Sequence, residues 1–330
     1  MDDQRGGQGV GMYLAITIDV EEDNWSSYDS SPVLSNIPKL LELQKLFDSY
    51  EVKPTYLITY PVVSDRNSVS ILRKILEDDG CEIGAHLHPW NTPPYDEEKT
   101  VENTMLYNLE KDIQYRKMES LHEKIVENFG MEPVTFRSGR WGFGPAVAEN
   151  MHKLGYKVDT SVSPYISWEK CHGPDFSDRS PMPQLLYMDY DKNPGAYILE
   201  VPATIGFLQG NFELCNSIYR KISGSKLKYF RLRGILDRLN LLNKVWLSPE
   251  PDSAESMIRL AETMMKKNYQ ILNMFFHSPS LRHGLTHFTR TKEEETELIH
   301  RIDKFLEFAK ASNIKSIKLS ESLKIITQTA

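Results

Sequence analysis

Short apolar runs alternate with longer amphipathic stretches along most of this chain. We interpret the apolar runs as strands, and they cover residues 13–19, 55–60, 82–86, 133–138, 156–162, 197–206, 269–278 and 314–320. Apolar residues at helical spacing lie between them, as in residues 253–268 and 291–311. Strands that alternate with helices predict βα units and a parallel sheet. About eight strands in 330 residues favour a (β/α) barrel, with an open doubly wound sheet as the alternative.

The chain ahead of the first strand is acidic and rich in glycine. We expect residues 1–11 to form a disordered leader and residues 12–330 to form a single barrel domain. The first twenty residues lack the basic and long apolar regions of a secretory signal, and no run of eighteen apolar residues occurs in the sequence. These features predict a cytoplasmic protein.

Residues 207–250 interrupt the alternation and predict a helical insertion in the barrel. From Arg220 to Lys244 this segment contains eight basic residues and one acid, Asp237. One interpretation is a pair of helices with a solvated surface. The other is a patch that contacts an anionic substrate or the surface of a membrane.

The overall charge and the cysteines exclude several functional classes. The formal net charge of −7 provides no overall attraction to nucleic acid. The three cysteines, Cys81, Cys171 and Cys215, are far apart in the sequence and form no CxxC pair. Neither a disulfide framework nor a thiolate zinc site is therefore indicated.

The stretch EIGAHLHPW, residues 82–90, places His86 and His88 two residues apart after a strand-like run. On an extended backbone both imidazoles face the same side, which suits a metal ion. Histidines also cap loops or pack with a single hydrogen bond, so this pair alone leaves both interpretations open.

Further reactive side chains lie at the carboxyl ends of other predicted strands, where parallel α/β folds carry their chemistry. They are Asp19 and Glu21 at the end of the first strand, Arg137 and Arg140 at the end of the fourth, and His277 at the end of the strand near residue 275. Asp19 lies at the edge of the predicted core, where a carboxylate needs a compensating cation, either an arginine or a metal. One carboxylate and two imidazoles form a three-ligand site with room for water, which is typical of a catalytic metal.

Four segments resemble the polysaccharide deacetylases with a NodB homology domain, the carbohydrate esterase 4 group. They are TIDVEEDNW, EIGAHLHPW, FRSGRWGFG and MFFHSPSL, and they occur in the order and strand context of that family. The resemblance implies a distorted (β/α) barrel with seven or eight parallel strands. It also implies hydrolysis of N-acetyl groups on sugars with a divalent metal, commonly zinc, held by one acidic residue and two histidines.

The resemblance also implies roles for individual residues. Asp19 resembles the catalytic base and His277 the catalytic acid, while Arg137 resembles the arginine that orients the base. The implied metal ligands are Glu21, His86 and His88. The family commonly separates its metal histidines by three residues and uses adjacent aspartates, whereas this chain has His-x-His and places Val20 between its two acids. Asp159 lies where the family has a residue near the acid histidine, and the residues expected to contact substrate are Arg140, Trp141, Asp159 and Trp90.

The resulting hypothesis is a hydrolase that removes an acetyl or formyl group from an amino sugar or polysaccharide, for instance a lipid-linked or nucleotide-linked sugar. Peripheral contact with a membrane and the absence of a nucleic-acid partner belong to the same hypothesis. Two alternatives remain: an amidohydrolase on the same barrel that acts on a cyclic or linear non-sugar amide, and an inactive homologue that binds glycans.

Overall fold

The computed structural model describes residues 11–24, 31–77, 80–188, 195–224 and 232–329. Residues 1–10 of the predicted leader lie outside these ranges, and the single-domain boundary at residue 12 stays a prediction. The strands are Tyr13–Val20 (β1), Thr55–Ile58 (β2), Glu82–Leu87 (β3), Thr135–Ser138 (β4), Val158–Asp159 (β5), Gln184–Tyr187 (β6), Tyr197–Glu200 (β7), Ile205–Phe207 (β8), Lys244–Trp246 (β9), Ile271–His277 (β10) and Lys315–Ile317 (β11). The helices are Leu40–Ser49 (α1), Tyr60–Ser64 (α2), Arg66–Leu76 (α3), Lys111–Phe129 (α4), Pro145–Lys153 (α5), Phe212–Gly224 (α6), Leu232–Arg238 (α7), Ala254–Lys266 (α8), Lys292–Ala311 (α9) and Ser322–Thr329 (α10).

The main sheet runs in the order β10-β1-β2-β3-β4-β5-β7-β6, with β11 also paired to β1. All of its pairs are parallel except β6 with β7, so eight parallel strands build the barrel. This confirms the predicted fold class. β1 is central because one edge pairs with β10 while the other pairs with β11 near Tyr13 and with β2 from Thr17 onwards.

The barrel closes between β7 and β10 through an irregular segment, residues 201–204. The backbone N–H of Thr204 donates to the carbonyl of Asn273 at 3.1 Å. The N–H of Asn273 donates in return to the Thr204 hydroxyl at 2.8 Å. The run 197–206, which the sequence predicts as one strand, is therefore two strands, β7 and β8. Pro202 lies in the break, where its missing N–H removes a ladder hydrogen bond.

Alternation along β1 separates the helix side of the sheet from the barrel interior. Leu14, Ile16, Ile18 and Val20 belong to the large apolar core that the helices cover. The intervening side chains face inward, starting with Ala15 in a smaller apolar cluster that includes Leu199, Ile271 and Ile317. This cluster forms the floor of the barrel.

A polar layer lies above that floor and is centred on Arg137, which is 1% exposed. Its Nη2 donates to the hydroxyl of Thr17 at 2.7 Å, and its Nε donates to the carbonyl of Thr160 at 3.0 Å. The amide of Asn273 donates to the Thr160 hydroxyl at 2.8 Å, which joins β10 to the same layer. The next inward position of β1 after Thr17 is Asp19, so the layers lead directly to the barrel mouth.

The predicted helical insertion, residues 207–250, contains α6 and α7 but ends differently from the prediction. Residues 244–246 form β9, which pairs antiparallel with β8 in a second, two-stranded sheet. Among the described residues, no helix is both long and apolar enough to cross a membrane.

Candidate functional site

The candidate site lies at the carboxyl ends of β1, β3, β4 and β10. Glu21 follows the end of β1 and His88 follows the end of β3, each two residues beyond an inward-facing side chain of its strand, Asp19 and His86. Because side chains two apart share a face, each strand end delivers a pair of polar groups into the barrel mouth. All four side chains are buried.

Glu21, His86 and His88 form the one cluster of potential metal ligands found in the described part of the chain, with ligand atoms within 4.8 Å of one another. The Oε2 of Glu21 lies 2.8 Å from the Nε2 of His88 and 3.6 Å from the Nε2 of His86. The short His-x-His spacing thus brings both imidazoles to the same carboxylate oxygen. The other carboxylate oxygen, Oε1, is buried without a hydrogen-bond partner.

Residues of β4 and the glycine that follows it constrain both imidazoles. The Nδ1 of His86 lies 3.1 Å from the carbonyl of Arg137, and a carbonyl only accepts, so Nδ1 carries the proton. In the neutral ring this leaves the Nε2 lone pair directed towards the carboxylates. On His88, a Cβ at Gly139 would lie 2.2 Å from Nδ1, so a glycine is required there for the imidazole to occupy this position.

The two acids make the cluster attractive to positive charge. Burial raises the pKa of Glu21, but hydrogen bonds from His86 and His88 outweigh it and lower that pKa to about 2. Burial lowers the pKa of His86, but the charge of Asp19 and a hydrogen bond to Glu21 bring it above its ordinary value. The carboxylates are therefore ionised and favour a cation between them.

Asp19 forms a buried ion pair with Arg137, whose Nη1 lies 2.6 Å from Oδ1. Its Oδ2 lies 3.8 Å from the Nε2 atoms of both His86 and His277. Although burial raises the pKa of Asp19, these three positive groups leave it below its ordinary value. Arg137 thus holds an ionised carboxylate in a fixed orientation at the edge of the metal cluster.

His277 ends β10 and is paired with the carboxylate of Glu250, which the sequence does not predict at the site. The Nδ1 of His277 lies 2.9 Å from the Oε2 of Glu250, and the Ser280 hydroxyl donates to Oε1 of the same carboxylate at 2.5 Å. Burial lowers the pKa of His277, but the charge and hydrogen bond of Glu250 raise it to about 10. The imidazole is therefore protonated at neutral pH, and its Nε2 faces Asp19.

A cavity of about 440 Å³ opens above these groups. The polar side chains named above occupy one part of its lining, together with Arg140, which the sequence also predicts at the site. Apolar side chains form most of the remaining wall: Met105, Trp141, Trp168, Trp246, Phe275 and Phe288. The Trp141 and Trp168 rings are stacked, with centroids 6.5 Å apart and planes 13° apart.

Asp159 lies outside the cavity lining, although the sequence predicts it among the residues that contact substrate. It is fully buried and accepts hydrogen bonds from the backbone and hydroxyl of Ser161 at 3.0 and 2.7 Å. Its strand partner is Glu200, and burial raises the pKa of both acids. Asp159 is absent from the cavity lining, and Glu250 occupies the place beside the histidine.

Trp90 also lies outside the cavity lining, although the sequence predicts that it contacts substrate. Its ring packs against His88, with centroids 4.2 Å apart and planes 33° apart. Trp90 therefore packs against His88, a candidate metal ligand.

Solved structures with low sequence identity share this fold. One is a protein from Mycobacterium smegmatis that is named as a polysaccharide deacetylase. The match covers 98% of this chain and 93% of that protein's chain, with a TM-score of 0.59 and 13% identity. The PuuE allantoinase matches 98% of this chain and 92% of its own, with a TM-score of 0.55 and 11% identity.

The chain has the NodB-type deacetylase fold. A 4-α-glucanotransferase from Thermococcus litoralis also matches 95% of this chain, over 40% of its own length, with a TM-score of 0.53 and 10% identity. No protein-family model and no curated protein sequence matches this chain. Because the names of these three structures cover different reactions, the reaction of this chain has to be argued from its site.

Proposed function

We propose that this chain is a metal-dependent hydrolase that removes an acetyl or formyl group from the nitrogen of an amino sugar. The observation that carries the proposal is the convergence of three elements at one barrel mouth. They are the Glu21, His86 and His88 cluster, the Asp19–Arg137 ion pair, and the protonated His277.

The residues present fit a divalent metal. Glu21 has a buried oxygen without a hydrogen-bond partner, and the Nε2 atoms of both histidines lie within 3.6 Å of its other oxygen. One carboxylate and two imidazoles are typical zinc ligands, and three protein ligands leave a coordination position for water. Glu21, His86 and His88 would hold the ion, which when bound supplies a Lewis acid that acidifies water and polarises an acyl carbonyl.

In this proposal Asp19 acts as the general base. Its Oδ1 is engaged by Arg137, while its Oδ2 faces the cluster and His277. Arg137 keeps the carboxylate ionised and prevents its rotation, so Oδ2 is available to take a proton from the attacking water.

In this proposal His277 acts as the general acid. Glu250 holds its Nδ1 and favours the imidazolium form, which leaves the Nε2 proton directed into the cavity. Donation of that proton to the departing nitrogen would release the free amine. Opposite protonation states of Asp19 and His277 are what such a base and acid require.

The apolar rings of Trp141 and Trp168 in the cavity lining support a sugar substrate, because they offer apolar surface to the C–H groups of a pyranose ring. A sugar attached to a lipid or a nucleotide fits the proposal. None of the described cysteines forms a disulfide, which agrees with the proposed cytoplasmic location.

A second candidate is hydrolysis of a non-sugar amide. The allantoinase match and the largely apolar wall of the cavity favour it, because neither feature requires a carbohydrate. An inactive glycan-binding homologue is the third reading, and metal analysis separates it from both enzymes.

The deciding experiment incubates the zinc-loaded protein with N-acetylated and N-formylated amino sugars and, in parallel, with allantoin and other cyclic amides. We expect release of acetate or formate from a sugar, and Asp19→Asn should abolish that release while it retains zinc. Turnover of cyclic amides alone would favour the second candidate. If the zinc-loaded protein hydrolysed none of these substrates, both candidate reactions would be contradicted.

A further inference from the structure

The insertion between β8 and β9 exposes an unusual share of large apolar side chains. α6 buries Phe212, Cys215 and Ile222, whereas Leu214 and Ile218 on the same helix are exposed. α7 and the residues after it expose Ile235, Leu239 and Leu241. These five belong to the eleven large hydrophobic side chains that are exposed in the described ranges. Such concentration within one short insertion marks an interaction surface.

Basic side chains accompany these apolar groups. Lys221 follows Ile218 by one turn of α6, and Arg238 directly precedes Leu239. Lys267, at the end of α8, lies over the ring of Phe212, 5.6 Å from its centroid. The sequence from Arg220 to Lys244 contains eight basic residues and one acid, although the whole chain has a formal net charge of −7. Arg220 is already paired with Asp178. The insertion is thus a cationic region on an acidic protein.

We propose that this surface binds peripherally to an anionic lipid bilayer. We call it the α6–α7 surface and define it by Leu214, Ile218, Lys221, Ile235, Arg238 and Leu239. Exposed aliphatic side chains on short helices insert at the boundary between headgroups and acyl chains, while neighbouring lysine and arginine contact lipid phosphates. Both components occur here on the same pair of helices.

An anionic bilayer fits this surface better than a second copy of the chain. A symmetric contact between two copies would bring the same patch on each copy together, and therefore basic residues against basic residues. Phosphate headgroups instead supply the opposite charge across the whole surface. The proposal is independent of the reaction at the barrel mouth, so each can fail without the other.

The test is co-sedimentation of the full chain with vesicles of phosphatidylcholine, either pure or with roughly one third phosphatidylglycerol. We expect binding to the anionic vesicles that weakens as salt is raised. The double variants Leu214→Glu/Ile218→Glu and Lys221→Glu/Arg238→Glu should each bind about tenfold more weakly. Met131→Glu, at another exposed hydrophobic position, and Lys45→Glu/Lys74→Glu, with the same change of charge elsewhere, should bind like the wild type.

Three outcomes would overturn the proposal. One is equal sedimentation with neutral and anionic vesicles, and another is wild-type binding by both α6–α7 variants. The third is a dimer, measured by light scattering, that Leu214→Glu/Ile218→Glu dissociates while vesicle binding is absent. Circular dichroism establishes that each variant is folded, and the charge variant decides the test if the glutamates on α6 prevent folding.

Discussion

The imidazole of His277 is held by Glu250, whose Oε2 lies 2.9 Å from Nδ1. The two residues come from different parts of the chain, since His277 ends β10 and Glu250 follows β9. The second carboxylate oxygen also accepts from the backbone N–H of His277, at 3.3 Å. Glu250 therefore fixes both the position and the charge of the proposed acid.

Glu250→Gln is expected to shift the alkaline limb of the pH–rate profile downwards. The carboxylate of Glu250 is the main reason that the pKa of His277 is raised to about 10, so an uncharged amide lets that pKa fall. His277 would then lose its proton at a lower pH, and the alkaline limb should move down by at least about one pH unit. The measurement is kcat/KM for the best substrate between neutral and strongly alkaline pH.

Ser280→Ala provides the matched control for that variant. It removes a hydrogen bond to Glu250 but leaves the carboxylate charge next to His277. Its alkaline limb should stay near that of the wild type. An unchanged limb in Glu250→Gln would show that Glu250 does not set the protonation of the acid.

Much of the barrel can be predicted from the sequence because its strands are buried runs with strong local patterns. β1, for example, is buried at seven of its eight positions, and its carboxyl end carries Asp19 as predicted. β6 and β9 give no such signal, since β6 is partly exposed along its length and β9 has only three residues. Their pairing depends on partners that are distant in sequence.

The residues of the site likewise divide into those that the sequence predicts and those that it does not. The parallel topology brings together the polar residues at the carboxyl ends of predicted strands: Asp19, Glu21, His86, His88, Arg137 and His277. Glu250, Trp168 and Trp246 come from the segments that fold over the barrel mouth, and nothing in their local sequence indicates where they lie. The catalytic and metal-binding roles of the predicted residues stay predictions, which the following variants test.

Gly139→Ala is expected to weaken metal binding while the fold is retained. The added Cβ would lie 2.2 Å from the Nδ1 of His88 and 2.7 Å from the carbonyl of Leu87, so the imidazole has to leave its present position. Displacement of one ligand should lower zinc affinity by about 10- to 100-fold. A competition titration with a zinc chelator measures this change.

The control for Gly139→Ala is Gly144→Ala in the same loop, where an added Cβ meets Tyr107 at an ordinary contact distance of 3.5 Å. We expect this variant to bind zinc like the wild type. Equal zinc affinity in all three proteins would exclude His88 as a ligand in its present orientation.

Glu21→Gln is expected to remove most of the bound metal. The change keeps the size of the side chain but replaces the negative charge that two imidazoles now contact. Zinc affinity should fall by at least about 100-fold, because the site loses its anionic ligand. Elemental analysis after dialysis measures the bound zinc.

The neighbouring Glu22→Gln is the control for Glu21→Gln. Glu22 accepts from the amide of Asn91 at 2.7 Å and is not part of the ligand cluster. This variant should retain zinc. Comparable zinc in both variants would place the metal, if any, away from Glu21.

Asp252→Asn is expected to alter how the free energy of unfolding depends on pH. Burial raises the pKa of Asp252 from an ordinary value of 3.8 to about 6, although its Oδ2 accepts from the N–H of Trp246. A raised folded-state pKa means that the stabilisation is present at low pH and is lost as the pH rises through about 6. Between about pH 5 and pH 8, the free energy of unfolding of the wild type should therefore fall by about 1 kcal/mol relative to that of Asp252→Asn. Urea unfolding of both proteins at the two pH values measures this difference.

Glu307→Gln, at an exposed position of α9, is the control and should show the same pH dependence as the wild type. If the wild type and Asp252→Asn showed the same pH dependence, Asp252 would be ruled out as the titrating group.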